Sequence, residues 1–348
     1  MGKSVKQVGY LAEELVSWVE DIKDQNGSSA GALYILKDNH VVVEHYSGRH
    51  SHAVDARNVR ADSQFNVASA RKSYLGLAVS FALYDKYIES LDDPICEYMP
   101  EMDSKMVIGT TIRHLVTHSH GLHIDEKGNW YREFEPGTGW AYRNIGVEIL
   151  TELIQRLYGK GFPQLLEERI FSRIGLKETG WRTEPAANLV NIIGEVTEPS
   201  LSGLGTTNDG TEKNLFVSAR EFALWGQLHM QKGRMNGEQI VPSQVIELST
   251  SIQNGVYHDS SLPDNGLFWY VQGDARSRSE MGERVPRDSY QILGVTGPTL
   301  LVIPSLNVVV AKMYNKRYNY GGEDYLHYLR EFSNKVADLF MDSQQPWL

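Results

Sequence analysis

A serine and a lysine three positions apart, Ser69 and Lys72, begin a largely apolar stretch of the chain. The apolar run from Leu75 to Leu83 predicts a buried helix, with Ser69 at its N-terminus and Lys72 one turn later on the same face. A helix N-terminus supplies free N–H groups and partial positive charge, and a desolvated lysine can lose its proton. The pair therefore indicates nucleophilic catalysis by Ser69. The structural alternative is a helix-capping serine beside a solvated lysine.

A tyrosine and an asparagine, Tyr142 and Asn144, precede a second helical pattern from Val147 to Tyr158. A tyrosine phenol near a lysine ammonium can have its pKa lowered enough to carry the nucleophile's proton. The asparagine amide can orient a substrate carbonyl. Taken alone, these residues would be interpreted as a core tyrosine and a helix-capping asparagine. Their catalytic interpretation therefore requires that they lie beside Ser69 and Lys72.

Each end of the chain carries a helix and a pair of strands. An amphipathic helix with apolar residues from Val8 to Ile22 precedes two predicted strands, 32–36 and 41–46. Strands at 299–303 and 308–314 precede a helix whose apolar face runs from Tyr325 to Leu339. Matching elements at the two ends predict an α/β (α+β) fold whose antiparallel sheet is built from N- and C-terminal segments and flanked by helices.

The region between these ends is mostly helical in pattern and has no clear linker. We therefore predict a discontinuous sheet domain made of residues 1–65 and 254–348. Residues 66–253 form a large, mostly helical insertion that carries the serine, lysine and tyrosine, so the site is expected at the junction of the two regions.

Composition limits the partners and the location of the protein. The 348 residues carry a net charge of -10, and no Lys/Arg run is long enough to follow a phosphate backbone, so nucleic acid is not an expected partner. No run approaches the roughly 18 apolar residues of a membrane span. Met1 to Gln7 contain no apolar leader, which predicts a cytoplasmic protein unless a signal segment was trimmed before residue 1. The single cysteine, Cys96, excludes an intramolecular disulfide.

The SxxK and YxN motifs together resemble those of the class C β-lactamases, the low-molecular-weight penicillin-binding proteins, and the related family VIII esterases and D-peptidases. Other stretches are similar to segments of the same family: Leu91–Pro94, Thr111–Leu122, Ile174–Thr179 and Val217–Ala223. The likeness runs from Gly31 to Asn315 and implies a β-lactamase/transpeptidase-like fold.

The family's third motif is a Lys or His, a small residue and a glycine on an edge strand, and this chain departs from it. One alignment uses Val295-Thr296-Gly297, which makes Pro298, a residue without an N–H, the oxyanion donor. The other uses Ile292-Leu293-Gly294, so that the backbone N–H groups of Ser69 and Val295 can form the oxyanion hole. We prefer the second alignment.

Both alignments replace the expected cation with an aliphatic residue, which favours esters or uncharged amides over β-lactams and peptide C-termini. The polar loop before the strand contains four arginines that are candidates to supply the missing charge: Arg276, Arg278, Arg284 and Arg287. The aromatic residues that are candidates to line a cleft, or to lie in the core, are Trp130, Tyr131, Trp140, Trp269 and Tyr270.

The resemblance implies that Ser69 forms an acyl-enzyme, that Lys72 and Tyr142 handle its proton, and that no cofactor takes part. Asn144 and Gly294 are the expected substrate-binding residues. A zinc site is not predicted, because no metal-ligand pattern completes the histidine cluster His114, His118, His120 and His123.

The predicted function is thus a serine hydrolase acting on a small ester, amide or β-lactam. One alternative is a β-lactamase or D-amino-acid peptidase acting on cell-wall-like substrates. Another is a catalytically weak binding protein that retains the fold. Transfer of the acyl group to an alcohol or amine stays open, and the sequence does not define the oligomeric state.

Overall fold

The computed structural model describes residues 5–102, 104–194, 202–317 and 325–341. The strands, in chain order, are β1 (Ala30–Lys37), β2 (His40–Gly48), β3 (Gln64–Asn66), β4 (Leu122–Ile124), β5 (Trp130–Arg132), β6 (Thr179–Trp181), β7 (Leu215–Ser218), β8 (Arg234–Met235), β9 (Glu238–Gln239), β10 (Tyr270–Val271), β11 (Tyr290–Leu293), β12 (Thr299–Ile303) and β13 (Val308–Tyr314).

The α-helices are α1 (Val5–Asn26), α2 (Lys72–Tyr84), α3 (Ile95–Tyr98), α4 (Ser104–Val107), α5 (Ile112–Val116), α6 (Ile145–Tyr158), α7 (Phe162–Leu166), α8 (Ser172–Ile174), α9 (Ala219–Met230), α10 (Ser243–Thr250) and α11 (Tyr325–Met341). Two 3-10 helices, Ala68–Arg71 and Pro304–Leu306, and a π-helical turn, Glu167–Phe171, complete the helical elements of the described residues.

The main sheet has six strands in the order β10-β11-β12-β13-β1-β2, and every neighbouring pair is antiparallel. Strands from both ends of the chain therefore share one sheet, which confirms the predicted fold class. The β1–β2 turn has Asp38 at φ 51° and Asn39 at φ 67°. Two consecutive left-handed residues are typical of the tight hairpin turns whose twist matches that of the strands, so these turn-forming residues determine the register of the hairpin.

Each face of the sheet is covered by helices, because apolar residues point alternately to the two sides of its strands. Leu33 and Ile35 of β1 face a core formed with α1 and α11, whereas Ala32 and Leu36 face the larger core beneath the helical region. Helix α9 lies directly on this second face. A Cβ added at Gly226 would come within 2.6 Å of Val309 Cγ1, so glycine allows the close approach of helix and sheet.

Helix α2 is the centre of the helical region, and nearly all of its side chains are buried. It is in contact with α6, α7 and α10. The Tyr74 ring of α2 stacks on the Trp225 ring of α9 with their centroids 4.1 Å apart. This packing holds the beginning of α2 in a defined position against the sheet-covering helix.

The division into a sheet domain and a helical insertion stays a prediction. Residues 1–4 of the predicted leaderless N-terminus lie outside the described residues. No helix within the described ranges combines the length and apolar character needed to cross a membrane. Cys96 is a free, partly exposed cysteine on α3.

Candidate active site

The turn that carries Ser69 connects β3 to α2. Ser69 lies in the 3-10 helix Ala68–Arg71, and α2 begins only at Lys72, so the serine precedes the α-helix and does not occupy its first turn. Ala68 has φ 44°, a left-handed conformation that costs an alanine about 1–2 kcal/mol. Its N–H donates to Asn66 Oδ1 at 2.9 Å, and Thr296 Oγ1 donates to the Asn66 carbonyl at 2.8 Å. These bonds stabilise the strained turn that presents Ser69.

Lys72 joins the serine to the tyrosine. Its Nζ donates to Ser69 Oγ at 3.2 Å and to the Tyr142 hydroxyl in a short hydrogen bond. The same Nζ lies 3.9 Å from the centroid of the Tyr142 ring. Lys72 is only 1% exposed, although it is charged in its ordinary state. The three residues that sequence analysis grouped by motif are therefore in direct contact.

Burial determines the pKa values of this pair. The pKa of Lys72 is held well below its ordinary range, first by burial and then by the positive charges of Arg71 and Lys213. Burial raises the pKa of Tyr142 to about 12, and the charge of Glu280 adds to this, while the bond to Ser69 and the charge of Arg71 oppose it. The expectation that the tyrosine pKa would be lowered is therefore wrong, because desolvation of the phenolate outweighs the hydrogen bond with Ser69 and the charge of Arg71.

The segment after β11 lies against the Ser69 turn. A Cβ at Gly294 would come within 2.2 Å of the Val67 carbonyl oxygen and 3.3 Å of Ala68 Cβ. The next residue, Val295, therefore follows directly beside this turn. Gly297 instead has φ 107° and lies on the Tyr314 side chain, where a Cβ would be 2.4 Å from Tyr314 Cβ. The alignment through Gly294 thus places its glycine against Val67 and Ala68, the two residues before the serine.

Asn144 lies at the rim of the cluster. It is the N-cap residue of α6, but its side chain makes no capping hydrogen bond and is exposed. In this structure Lys72 is bonded to Ser69 and Tyr142, and no hydrogen bond between Lys72 and Asn144 is present among the described side chains. Asn144 is thus near the site through Tyr142, two residues earlier in the chain.

His118 lies behind Tyr142, with the centroids of the two rings 4.7 Å apart. It is 2% exposed, and burial holds its pKa well below the ordinary range. Within the described ranges there is no group of three or more His, Cys, Asp or Glu side chains that could hold a metal ion. The His118 ring packs against Tyr142 on one side and against Phe268, with centroids 5.3 Å apart, on another.

The four loop arginines do not supply a cation to the site. Each pairs with a carboxylate: Arg276 with Asp264, Arg278 with Asp259, Arg284 with Asp338 and Arg287 with Asp274.

Ile292, at the preferred third-motif position, is 3% exposed and belongs to the large core. The cations whose charge reaches Lys72 are Arg71 and Lys213, which sequence analysis did not select as site residues. The position of Arg71 inside the SxxK motif was a signal that it lies near the site.

Glu280 was also not selected, because it is one charged residue among many in the loop between β10 and β11. The Tyr270 side chain is hydrogen-bonded to its carboxyl group. Burial raises the pKa of Glu280 to about 7, and the Tyr270 bond and the charge of Lys72 partly oppose that rise. The site thus contains an acidic group whose charge acts on both Lys72 and Tyr142.

The antiparallel sheet, the helical region and the serine–lysine–tyrosine cluster together define a protein with the β-lactamase/transpeptidase-like fold. Two solved structures share this fold. EstCE1, described as a hydrolase with promiscuous acyltransferase activity, has a TM-score of 0.74 and 17% identity over 92% of this chain and 99% of its own. The D-alanine carboxypeptidase AmpC of Burkholderia cenocepacia has a TM-score of 0.73 and 16% identity over 96% of this chain and 98% of its own.

The chain belongs to the β-lactamase family, whose family model matches residues 15–334. A relative from Alkalihalophilus pseudofirmus is 41% identical over 331 residues, which are 95% of this chain and 97% of that protein. The name of that relative states no activity. The family is named for β-lactamases, which are hydrolases, and this agrees with the predicted reaction class.

Proposed function

We propose that this protein is a serine hydrolase that forms an acyl-enzyme on Ser69 while cleaving esters or uncharged amides. The observation that supports this most strongly is the placement of Lys72 Nζ, which is bonded to both Ser69 Oγ and the Tyr142 hydroxyl in a desolvated position. A structural lysine in a core would be costly without such partners. Contact between a nucleophile, a base and a third proton-carrying group is the arrangement that covalent catalysis requires.

In the first half of the reaction, neutral Lys72 accepts the Ser69 hydroxyl proton as Oγ attacks the substrate carbonyl carbon. Lys72 is the group that can accept a proton, because burial lowers its pKa and so favours its neutral form. Burial raises the pKa of Tyr142, so the phenol keeps its proton. The two groups are hydrogen-bonded, so their protons titrate as a pair. The tetrahedral oxyanion accepts hydrogen bonds from the backbone N–H groups of Ser69 and Val295.

Collapse of this intermediate breaks the bond to the leaving group. Tyr142 donates its phenolic proton to the departing oxygen or nitrogen and regains a proton from the Lys72 ammonium. A water molecule then attacks the acyl-enzyme by the reverse path and releases the acid. Asn144 contacts the substrate through its side-chain amide at the rim of the site. Gly294 contacts it through the backbone, which lies close to the Ser69 turn. An alcohol or amine in place of water would give acyl transfer.

The substrate class follows from the charges around the serine. Ile292 is an aliphatic core residue, and Glu280 places negative charge near Tyr142. Both features disfavour a substrate with a carboxylate beside the scissile bond, as β-lactams and D-peptide C-termini have. We therefore place ester hydrolysis ahead of β-lactamase or D-peptidase activity. Comparing nitrocefin with short p-nitrophenyl esters separates the two: faster nitrocefin turnover would favour the β-lactamase alternative.

The mechanism is tested by intact-mass spectrometry after treatment with a fluorophosphonate. Wild-type protein should gain one adduct, and Ser69→Ala should gain none. Ser277→Ala removes an exposed serine in the polar loop and serves as the matched control, so it should be labelled like the wild type. Labelling of neither the wild type nor the control would contradict an activated Ser69 and would favour the binding-protein alternative.

A further inference from the structure

Two aromatic rings and one carboxyl group form a wall beside the catalytic pair. The Trp140 ring lies 6.4 Å from the Tyr142 ring and 6.3 Å from the Tyr270 ring, measured between centroids. The Tyr270 side chain is hydrogen-bonded to the Glu280 carboxyl group. We call Trp140, Tyr270 and Glu280 the aromatic–acid wall. It is continuous with Tyr142, which is 37% exposed, so the wall adjoins the solvent side of the site.

Two polar atoms of this wall lack partners among the described residues. Glu280 Oε2 and Trp140 Nε1 are both covered from solvent, and neither makes a hydrogen bond. Buried polar groups are nearly always paired, and a buried carboxyl oxygen without a hydrogen-bond partner is costly. As whole residues, Trp140 and Glu280 are only partly buried. A bound group that donates to Glu280 Oε2 would remove the larger part of this cost.

The charge of the wall selects the kind of group. The ring faces attract cations, and the Glu280 carboxyl group, whose pKa burial raises to about 7, is partly ionised at neutral pH, so together they favour an ammonium group. Two arginines of the same loop, Arg276 and Arg287, are already paired with Asp264 and Asp274. Lys72 lies close by, but burial favours its neutral form, which weakens its repulsion of a second cation. These three cations therefore leave the carboxyl group and the ring faces of the wall able to contact a bound ammonium group.

We propose that the aromatic–acid wall binds an ammonium group of the substrate, so that the preferred substrates are esters or amides with a protonated amine near the scissile bond. The ammonium N–H donates to Glu280 Oε2, and the Trp140 and Tyr270 rings contact its methyl or methylene groups. Trp140 Nε1 donates a hydrogen bond to an oxygen atom of the substrate. This inference rests on the proposed function, because it assigns the substrate class of the same site.

The test uses two pairs of esters that match in shape and differ in charge. On the alcohol side, dimethylaminoethyl butyrate is compared with 3-methylbutyl butyrate. On the acyl side, ethyl N,N-dimethylglycinate is compared with ethyl 3-methylbutanoate. Hydrolysis is followed by acid release at pH 7, with the chemical background rate subtracted for each ester. In at least one pair the wild-type protein should prefer the charged ester by about 10- to 100-fold in kcat/KM, as expected for one charge-assisted hydrogen bond with cation–π contact.

Glu280→Gln should reduce this preference to within about threefold, because it keeps the shape and removes the charge. Glu283→Gln is the matched control: Glu283 lies in the same loop, but its carboxylate pairs with Arg330, and it should keep the wild-type preference. Equal rates for both members of both pairs in wild-type protein would overturn the inference. So would a preference that survives in Glu280→Gln.

Fluorophosphonate labelling of Ser69 separates this outcome from failure of the proposed function. If the wild type is labelled but shows no preference for the charged esters, the hydrolase mechanism stands and the ammonium site is wrong. If the wild type is neither labelled nor active on any of the four esters, both proposals fail together. Equal wild-type rates within both pairs overturn the ammonium site even if Glu280→Gln does not fold.

Discussion

Gly294→Ala tests how closely the strand after the third motif must approach the nucleophile. The added Cβ would stand 2.2 Å from the Val67 carbonyl oxygen, and a further contact of 3.3 Å to Ala68 Cβ prevents a simple sideways shift. Non-bonded heavy atoms prefer separations of about 3.5 Å or more, so the backbones must move apart by about 1 Å. Both proposed oxyanion donors, the N–H groups of Ser69 and Val295, belong to the two segments that separate.

A misplacement of about 1 Å in a catalytic arrangement costs on the order of 100-fold in rate, and loss of one oxyanion donor costs about 100- to 1000-fold. We therefore expect kcat for a p-nitrophenyl ester to fall by about 100-fold or more in Gly294→Ala. Strain from the added methyl group should lower the free energy of unfolding by about 1–3 kcal/mol, which a denaturation midpoint measures.

Gly255→Ala is the matched control for this change, because a Cβ there meets nothing within 4 Å and the residue does not require a left-handed backbone. It should keep the wild-type kcat and stability. Wild-type kcat in a folded Gly294→Ala protein would refute the placement of Val295 in the oxyanion hole. In that case the third-motif alignment through Gly294 would have to be abandoned.

Three further predictions follow from the groups around Ser69. Lys72→Met keeps the apolar stem of the side chain and removes the base. The rate of acylation by a p-nitrophenyl ester, measured by stopped flow, should therefore fall by about 100- to 10,000-fold. An unchanged rate would exclude Lys72 as the base. Tyr142→Phe removes the proton donor for the leaving group. Because p-nitrophenolate departs without protonation and an anilide nitrogen does not, kcat should fall more for an anilide than for the matching p-nitrophenyl ester. Equal losses would contradict leaving-group protonation by Tyr142. The folded-state pKa of Glu280, about 7, lies above the ordinary value of 4.5, so the native state favours the protonated carboxyl and loses stability as pH rises between these values. The unfolding free energy of Glu280→Gln minus that of the wild type should therefore increase by about 3 kcal/mol as pH rises from 4.5 to 8. The same difference for Glu283→Gln should not increase. A difference for Glu280→Gln that does not change with pH would contradict the raised pKa.

The parts of the fold that local patterns determine could be predicted from the sequence. The predicted strands 299–303 and 308–314 match β12 and β13 residue for residue, because an apolar run bounded by turn-forming residues is a strong local signal. The helix expected to begin at Ser69 and to contain the apolar run from Leu75 to Leu83 instead begins at Lys72, after a 3-10 turn, and ends at Tyr84. Helix boundaries depend on capping and tertiary contacts, which the apolar pattern does not report.

The conformation and charge of the site were harder to predict, because they depend on residues distant in sequence. The left-handed Ala68 is supported by Thr296, which bonds to the Asn66 carbonyl across more than 200 residues of chain. The raised pKa of Tyr142 results from burial that no motif reveals. Glu280 comes from a loop without regular secondary structure and is brought to the site only by the folded sheet. Sequence motifs therefore identify the reacting groups, whereas the environment that tunes them requires the structure.

Detection of the acyl-enzyme tests the central claim most directly. Wild-type protein mixed with p-nitrophenyl butyrate and quenched in acid within the first turnovers should gain the mass of one butyryl group, and peptide mapping should place it on Ser69. Ser69→Ala treated in the same way should gain no such mass. A butyryl group on another residue, or the same adduct in Ser69→Ala, would contradict nucleophilic catalysis by Ser69.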